Sequence, residues 1–486
     1  LSSFPFFLER NKNQIENLLL FLTLQTTFNS AAEIMNLDTA NQVEYDLYLQ
    51  GLTEETVKKI SADLQEPERM LELRLKSLEI FHKLPMPSFP EISDLNFDAL
   101  VYYAKPKTSK TYMNDREQVP DEIKSTFQKL GIPEAEQKYL AGAGGQFDST
   151  AVYHKIKEVR AKQGIIFEDM SHALKSYPEL VQKYFMKLVP PTDHKFAALH
   201  GAVWSGGSFV YVPKGVKLTQ PLQAYFRMNT LAGGQFEHTL IIVEDEAEAQ
   251  YIECSAPKYN QLSLHACVEI FVGKEAKMRY SSVENWSTNT YNLNTKRALV
   301  QDFGLMERIG GNLGSGATML YPCSVLKGEG SKADNLSVVM ASKGQHQDVG
   351  AKVIHLGKNT SSTIVSKSLS LQGGINTYRG LVKIKNAENA VCSVNCDALI
   401  LDEESVSKTI PMIECDNASA LVSHEASAGK VDEFQLFYLM SRGMDAEKAM
   451  SLLVNGFVSS IVKQLPLEYA GELNRLIEIE MEGSVG

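Results

Sequence analysis

A mainly β protein with flanking α regions, built as a β-helix core between two helical domains, is the fold class that three features of the sequence predict. Between about 200 and 428 the chain passes through short segments rich in Val, Ile, Thr and aromatics, among them SFVYV, TLIIVE, AQYIEC, LHACVEIFV, KMRYSSVE, LSVVMAS, AKVIHL and STIVSKSLSL. Turns of Gly, Asn, Asp and Lys separate them at intervals of roughly 10 to 15 residues, and no long helical pattern intervenes, which excludes a doubly wound α/β sheet. Helical periodicity returns on both sides. A strand region this long without a strict repeat fits irregular stacked coils better than a sandwich, its nearest rival.

Taken in order, residues 1–45 form an N-terminal extension that no pattern places. Its apolar run NLLLFLTL at 17–24 is too short for the roughly 20 residues of a membrane span, and the chain begins with Leu. A short helix or flexible extension is expected, with a cleavable targeting segment as the alternative. Residues 46–195 read as a helical domain. Thr53 is placed to cap GLTEETVKKISADLQ, and Pro67 opens a helix whose Met70, Leu71, Leu73, Leu75, Leu78 and Phe81 form one stripe. After the break LPMPSFPE, the segments DEIKSTFQKL, STAVYHKIKEVRAKQ and SHALKSYPELVQKYF read as further helices.

The β-helix core is expected over 196–428 and a C-terminal helical domain over 429–486. There VDEFQLFYLMSRG ends at Gly443, Asp445 caps the next helix with Ala446, Ala449, Met450, Leu453, Phe457 and Ile461 in period, and Pro466 opens a last one. The pattern taken alone favours self-packed core over a docking face for these helices.

At 486 residues with a net charge of -11, the chain has several domains' worth of core and no basic footprint for nucleic acid. Six irregularly spaced cysteines fit reduced thiols rather than a disulfide framework. Phosphate-binding signatures fail: in GAKVIHLGKN the glycines are too far apart and Asn359 stands where a Ser or Thr would hold magnesium, so any ATP is hydrolysed by a partner. A β-helix carbohydrate enzyme would need paired carboxylates, and one candidate cluster, Asp402, Glu403 and Glu404, reads as a solvated turn.

The stretch SVNCDALILDEES, followed by VSHEAS, concentrates a thiol, an imidazole and a carboxylate. As a strand, 392–401 would put Cys392, Val394, Cys396, Ala398 and Ile400 on one face, so Cys396 points inward and reads, on this ground alone, as core. His424 and Glu425 would face opposite ways unless the strand bulges. Cys254 lies at a strand end, where a thiolate could react if Arg227 or Lys296 folded close to it.

The runs FAALHGAVWSGGSFVYVPKGV, PLQAYFRMN, GQFEHTLIIVEDEA, NTKRALV, GKNTSSTIVSKS, YRGLVKI, NCDALILDEES, HEAS, QLFYLMSRG and EMEGSVG resemble, in order and from about 45 to the end, the SufB/SufD family of the SUF iron–sulfur assembly machinery, its SufB branch in particular. That resemblance implies a right-handed parallel β-helix and a non-enzymatic scaffold. Its expected partners are the SufC ATPase at the C-terminal helices, SufD or a second SufB at the β-helix, and SufS with a SufE- or SufU-type sulfur carrier, with apo iron–sulfur proteins receiving the product. A transient iron–sulfur cluster is the expected cofactor; flavin has no support in the sequence. The expected location is the cytoplasm, or an organelle if the extension is a targeting segment.

Residue by residue, the resemblance assigns sulfur acceptance to Cys254, a sulfur route to Arg227, Asn229, Trp286 and Lys296, and nascent-cluster ligation to Cys396, Glu425 and His424, with Glu425 expected to be the closer companion of Cys396. Soft thiolate with a labile imidazole or carboxylate suits a cluster that is handed on. The sequence departs from the pattern where Glu253 directly precedes Cys254 in place of the usual Gly; losing one residue in a strand flips side-chain facing.

Overall fold

The computed structural model describes residues 44–93, 95–107, 140–156, 158–227, 230, 233–255 and 266–465, together with 470, 471, 473, 474 and 477. Nearly all of the N-terminal extension, the expected helix DEIKSTFQKL, Asn229 and most of the last expected helix lie outside the described residues.

The centre of the chain is a parallel β-solenoid of two facing sheets. In one sheet Glu248 stacks on Lys277, then Leu305, Lys332, Ser361, Val391 and Leu421, so a coil takes 27 to 30 residues. The second sheet carries the returning strands, including Cys267–Val272, Thr295–Val300, Ile375–Ile384 and Val406–Cys415. The lumen between the sheets is filled from both sides by alternate residues such as Ala249, Tyr251, Val268, Ile270, Met278, Tyr280, Val353 and Ile364. That alternation is the strand period expressed as burial, and each rung closes the hydrogen bonds of the one before. The varying coil length explains why no strict repeat is visible in the sequence.

The turns are built from local chemistry. Gly314 has φ +73°, and a Cβ there would come within 1.8 Å of the Trp286 carbonyl oxygen one coil below, so only glycine lets the coils stack at that corner.

The N-terminal region is mixed rather than purely helical. The two expected helices form, Glu54–Leu64 capped by Thr53 and Glu68–Lys83 opened by Pro67. STAVYHKIKEVRAKQ, read as a helix, is instead the strand Thr150–Ile156 followed by the short helix Glu158–Ala161. The pairing partner decides this: Thr150–Ile156 runs antiparallel to Gly142–Phe147, which continues the solenoid sheet at Leu222–Arg227. Arg74, fully buried, binds Glu66 at 2.6 Å and donates to the carbonyls of Ala202 and Trp204, fastening the helical pair to the helix Lys195–Val203 that leads into the solenoid.

At the other end the helix Ala446–Val462 lays Met450, Val454, Val458 and Ile461 on the outer face of a solenoid sheet, against Ile309, Val338 and Met340. The helix Glu433–Ser441 buries none of its residues. The expectation of self-packed core therefore holds for the longer helix and fails for most of the shorter, whose Leu436 and Leu439 are half-buried while Phe434, Phe437, Tyr438 and Met440 stand exposed.

Among the described residues, no helix is long and apolar enough to cross a membrane.

Candidate functional site

The last coil leaves the solenoid open. Among the described residues, its strands Val406–Cys415 and Leu421–Lys430 pair on one side only, with Ile375–Ile384 and Val391–Ile400. Nearly every residue on them is exposed, including Ile410, Met412, Ile413 and Leu421. A parallel edge this long and apolar is a template for pairing with another chain.

Cys396 sits one coil inside that edge. Strand period carries Cys392, Val394 and Cys396 into the lumen, where all three are buried. His424 is the register partner of Val394, and its ring leans along the strand until Nε2 is 4.0 Å from Cys396 Sγ. A tetrahedral ion bound at ordinary lengths holds a thiolate sulfur and an imidazole nitrogen ~3.6 Å apart, so the pair can share one ion after a small adjustment. Glu425, paired with Asn395, faces the other way and is exposed. The companion of Cys396 in this chain is thus His424, not Glu425: the strand continues without a bulge, and the two consecutive residues part to opposite faces.

Burial pushes the Cys396 thiol up to about 11, a rise that the Tyr378 hydroxyl from the opposite sheet partly offsets. An incoming metal ion must therefore displace a proton from Cys396. One thiol and one imidazole make half a coordination sphere, and the open lumen is where further ligands would arrive.

The other residues expected to act together are divided by the sheet. Cys254 is buried on the outer face, beside Tyr225 and Ile252, whereas Glu253 turns into the lumen. Lys296 and Trp286 are buried on the lumen side, so the sheet itself lies between Lys296 and the Cys254 thiol. The Arg227 side chain lies outside the described residues.

Lys296 holds a polar network instead. Its Nζ lies 2.5 Å from Glu284 Oε1 and 3.4 Å from Glu253 Oε1. Tyr280 donates to Glu253 at 2.7 Å, and Asn292 donates to Glu284 at 2.7 Å. Burial pulls the Lys296 ammonium down, but the two carboxylates outweigh it and hold it above its ordinary value. A cavity of about 50 Å³ adjoins Glu284, Lys296, Arg308 and Asn312. Sequence reading missed Glu237 here; burial and the nearby Glu253 push its carboxyl up to about 8.

Glu237 therefore stays protonated in the folded protein while the unfolded chain ionises near 4.5. The folded state binds the extra proton throughout that window, so the group's contribution is fully present below about 4.5 and is lost as pH rises to about 8. Glu237→Gln should remove a decline of up to about 1.4 kcal/mol per pH unit from the stability profile, read from urea unfolding between those limits.

The fold and the site together define a parallel β-solenoid that carries a thiol–imidazole pair, half of a metal-binding sphere, one coil inside an exposed edge. The SufBD core domain of the SUF iron–sulfur cluster assembly system matches residues 226–457, and the SufBD N-terminal region matches 107–224. The chain is 54% identical to the iron–sulfur cluster assembly protein SufB of Bacillus subtilis over 440 residues, 90% of this chain and 94% of the relative. Identity and coverage are the same against SufBD family proteins of Staphylococcus haemolyticus and Staphylococcus aureus. The chain belongs to the SufB/SufD family of iron–sulfur cluster assembly proteins.

Proposed function

We propose that this protein is a SufB-type scaffold on which a nascent iron–sulfur cluster is built at the open end of the solenoid and then handed to apo-proteins. The observation that carries this reading is the 4.0 Å approach of Cys396 Sγ to His424 Nε2 one coil inside an exposed apolar edge. Half the ligands of a cluster come from this chain, and a second β-helix, SufD or another copy, covers the edge and supplies or encloses the rest. A single thiolate with a neutral imidazole gives a labile seat, which suits transfer. Glu425, on the outer face, would reach the cluster only through rearrangement at the interface. Anaerobic reconstitution tests this: Cys396→Ser should lose the visible absorbance of the cluster, and a variant that holds cluster as well as the parent protein would refute the site.

Sulfur enters, in the same proposal, at Cys254 as persulfide from a desulfurase and its carrier. The Lys296 network, with Trp286 and the strand ending at Arg227, forms the polar route inside the coils. Because Cys254 lies on the outer face, sulfur must cross the sheet near the strand end. Cys254→Ser should then fail to take up persulfide from a loaded carrier, and unchanged labelling would remove this role.

The C-terminal helices dock the ATPase subunit. Phe434, Phe437 and Tyr438 recur at helical spacing on a face that is open to solvent, and Met440 and Leu452 are exposed as well. Aromatic residues so exposed are rare on a finished surface and typical of an interface centre. Phe437→Asp should weaken SufC binding by about tenfold or more, measured by calorimetry, while the unfolding midpoint stays within about 0.5 kcal/mol of the parent protein.

A further inference from the structure

Several coils away from Cys396, the seam between the solenoid wall and the helix Lys195–Val203 holds a second group of donors. His238 and Cys267 open adjacent parallel strands and are register partners, so their side chains leave the same face of the sheet side by side. That face turns away from the lumen, because the intervening Ile241, Val243, Val268 and Ile270 belong to the lumen core. His200 meets them from the helix. Its Nε2 lies 3.0 Å from His238 Nδ1, and the ligand atoms of His200, His238 and Cys267 all fall within 4.8 Å of one another. All three residues are buried.

A buried carboxylate orients the group. Glu269, two residues beyond Cys267 on the same face, accepts from His238 Nε2 at 3.1 Å and from the backbone N–H groups of Met186, Leu188 and Val189. A carboxylate so bonded only accepts, so His238 carries its proton on Nε2 and aims the Nδ1 lone pair at His200 and Cys267. Carboxylate-held imidazole of this kind is how proteins fix the tautomer of a metal-bound histidine.

We propose that His200, His238 and Cys267 form a site for one zinc-type divalent transition-metal ion, bound through Nε2, Nδ1 and Sγ. Two imidazole nitrogens and one thiolate are a borderline-soft donor set suited to such an ion. Charge points the same way. The Cys267 thiolate and the Glu269 carboxylate supply two negative charges, the nearby Arg297 is paired with Asp193, and a divalent ion leaves the seam neutral where a monovalent one would not. On binding, the Cys267 thiol releases its proton to solvent, and His200 moves its ring proton from Nε2 to Nδ1. The ion would pin the helix Lys195–Val203 to the first coils, a role separate from cluster assembly at the open end.

Cobalt(II) is the probe, supplied in the growth medium to the full-length protein, which is then purified in the presence of a chelator. The background carries Cys396→Ser and His424→Ala, so that the open-end pair cannot contribute. About one cobalt per chain is expected, with a thiolate-to-cobalt charge-transfer band in the near ultraviolet. Cys267→Ser should abolish the band, and His200→Gln should lower cobalt content by about tenfold or more. The Gln amide can still donate to His238 Nδ1 and so preserves the hydrogen-bonded fold, which circular dichroism checks. Cobalt below about a tenth of an equivalent in the background protein, or content unchanged by His200→Gln, would overturn the site and leave a hydrogen-bonded relay.

Discussion

His424→Ala is expected to cut the iron and sulfide retained after anaerobic reconstitution by about tenfold or more, whereas Glu425→Ala leaves both near the level of the parent protein. The contrast follows from strand parity. His424 leans to within 4.0 Å of Cys396 Sγ inside the lumen, and Glu425 stands exposed on the other side of the same sheet. Protein-bound iron and acid-labile sulfide, measured after desalting, give the result directly. Equal losses in the two variants would mean that the last coil rearranges before it binds metal. A loss confined to Glu425→Ala would return the ligand role to the carboxylate.

The second large effect belongs to Lys296. Replacing it by Met should destabilise the fold by about 3–5 kcal/mol, because Glu253 and Glu284 would then stay buried without the ammonium that pairs with both. Removing the two carboxylates as well, with Glu253→Gln and Glu284→Gln, should restore most of the loss, since the penalty lies in the orphaned charges and not in the missing ammonium. Urea unfolding of the single and triple variants separates the two outcomes. If Lys296→Met lost persulfide transfer but no stability, the lysine would act on passing sulfur and not as the keystone of the network.

Much of this architecture is legible in the sequence because strands announce themselves by alternation. The runs TLIIV, AQYIEC and KMRYSSVE all fall in strands, and the period that sends Cys392, Val394 and Cys396 inward is the one the structure follows. Thr53 and Asp445 start helices by side-chain capping, and Pro67 opens one through its fixed backbone, as their positions imply. What failed was non-local. STAVYHKIKEVRAKQ carries a respectable helical pattern and becomes a strand because Gly142–Phe147 offers it a ladder. The exposed face of VDEFQLFYLMSRG cannot be told from core until one sees that, among the described residues, none covers it.

The site was legible to the same degree. Cys396 and His424 were both visible as candidates, yet their ranking turned on whether the strand bulged between His424 and Glu425, which is a property of the coil beneath. Glu253 illustrates the same limit. Its position directly before Cys254 signalled a change of facing, and the consequence, a carboxylate in the lumen and a thiol outside it, appears only once Tyr280 and Lys296 are in place around it. The cluster of His200, His238 and Cys267 left no signal in the sequence, since its members come from a helix and two strands brought together by stacking.

The most direct test of the central claim is pulsed electron paramagnetic resonance of the reduced, reconstituted protein with its histidines labelled by nitrogen-15. If Cys396 and His424 seat the nascent cluster, the spectrum carries a nitrogen-15 hyperfine coupling from a ligated imidazole, and His424→Ala removes it while Glu425→Gln leaves it in place. A cluster that forms with no histidine coupling, or a coupling that survives in His424→Ala, would contradict the account.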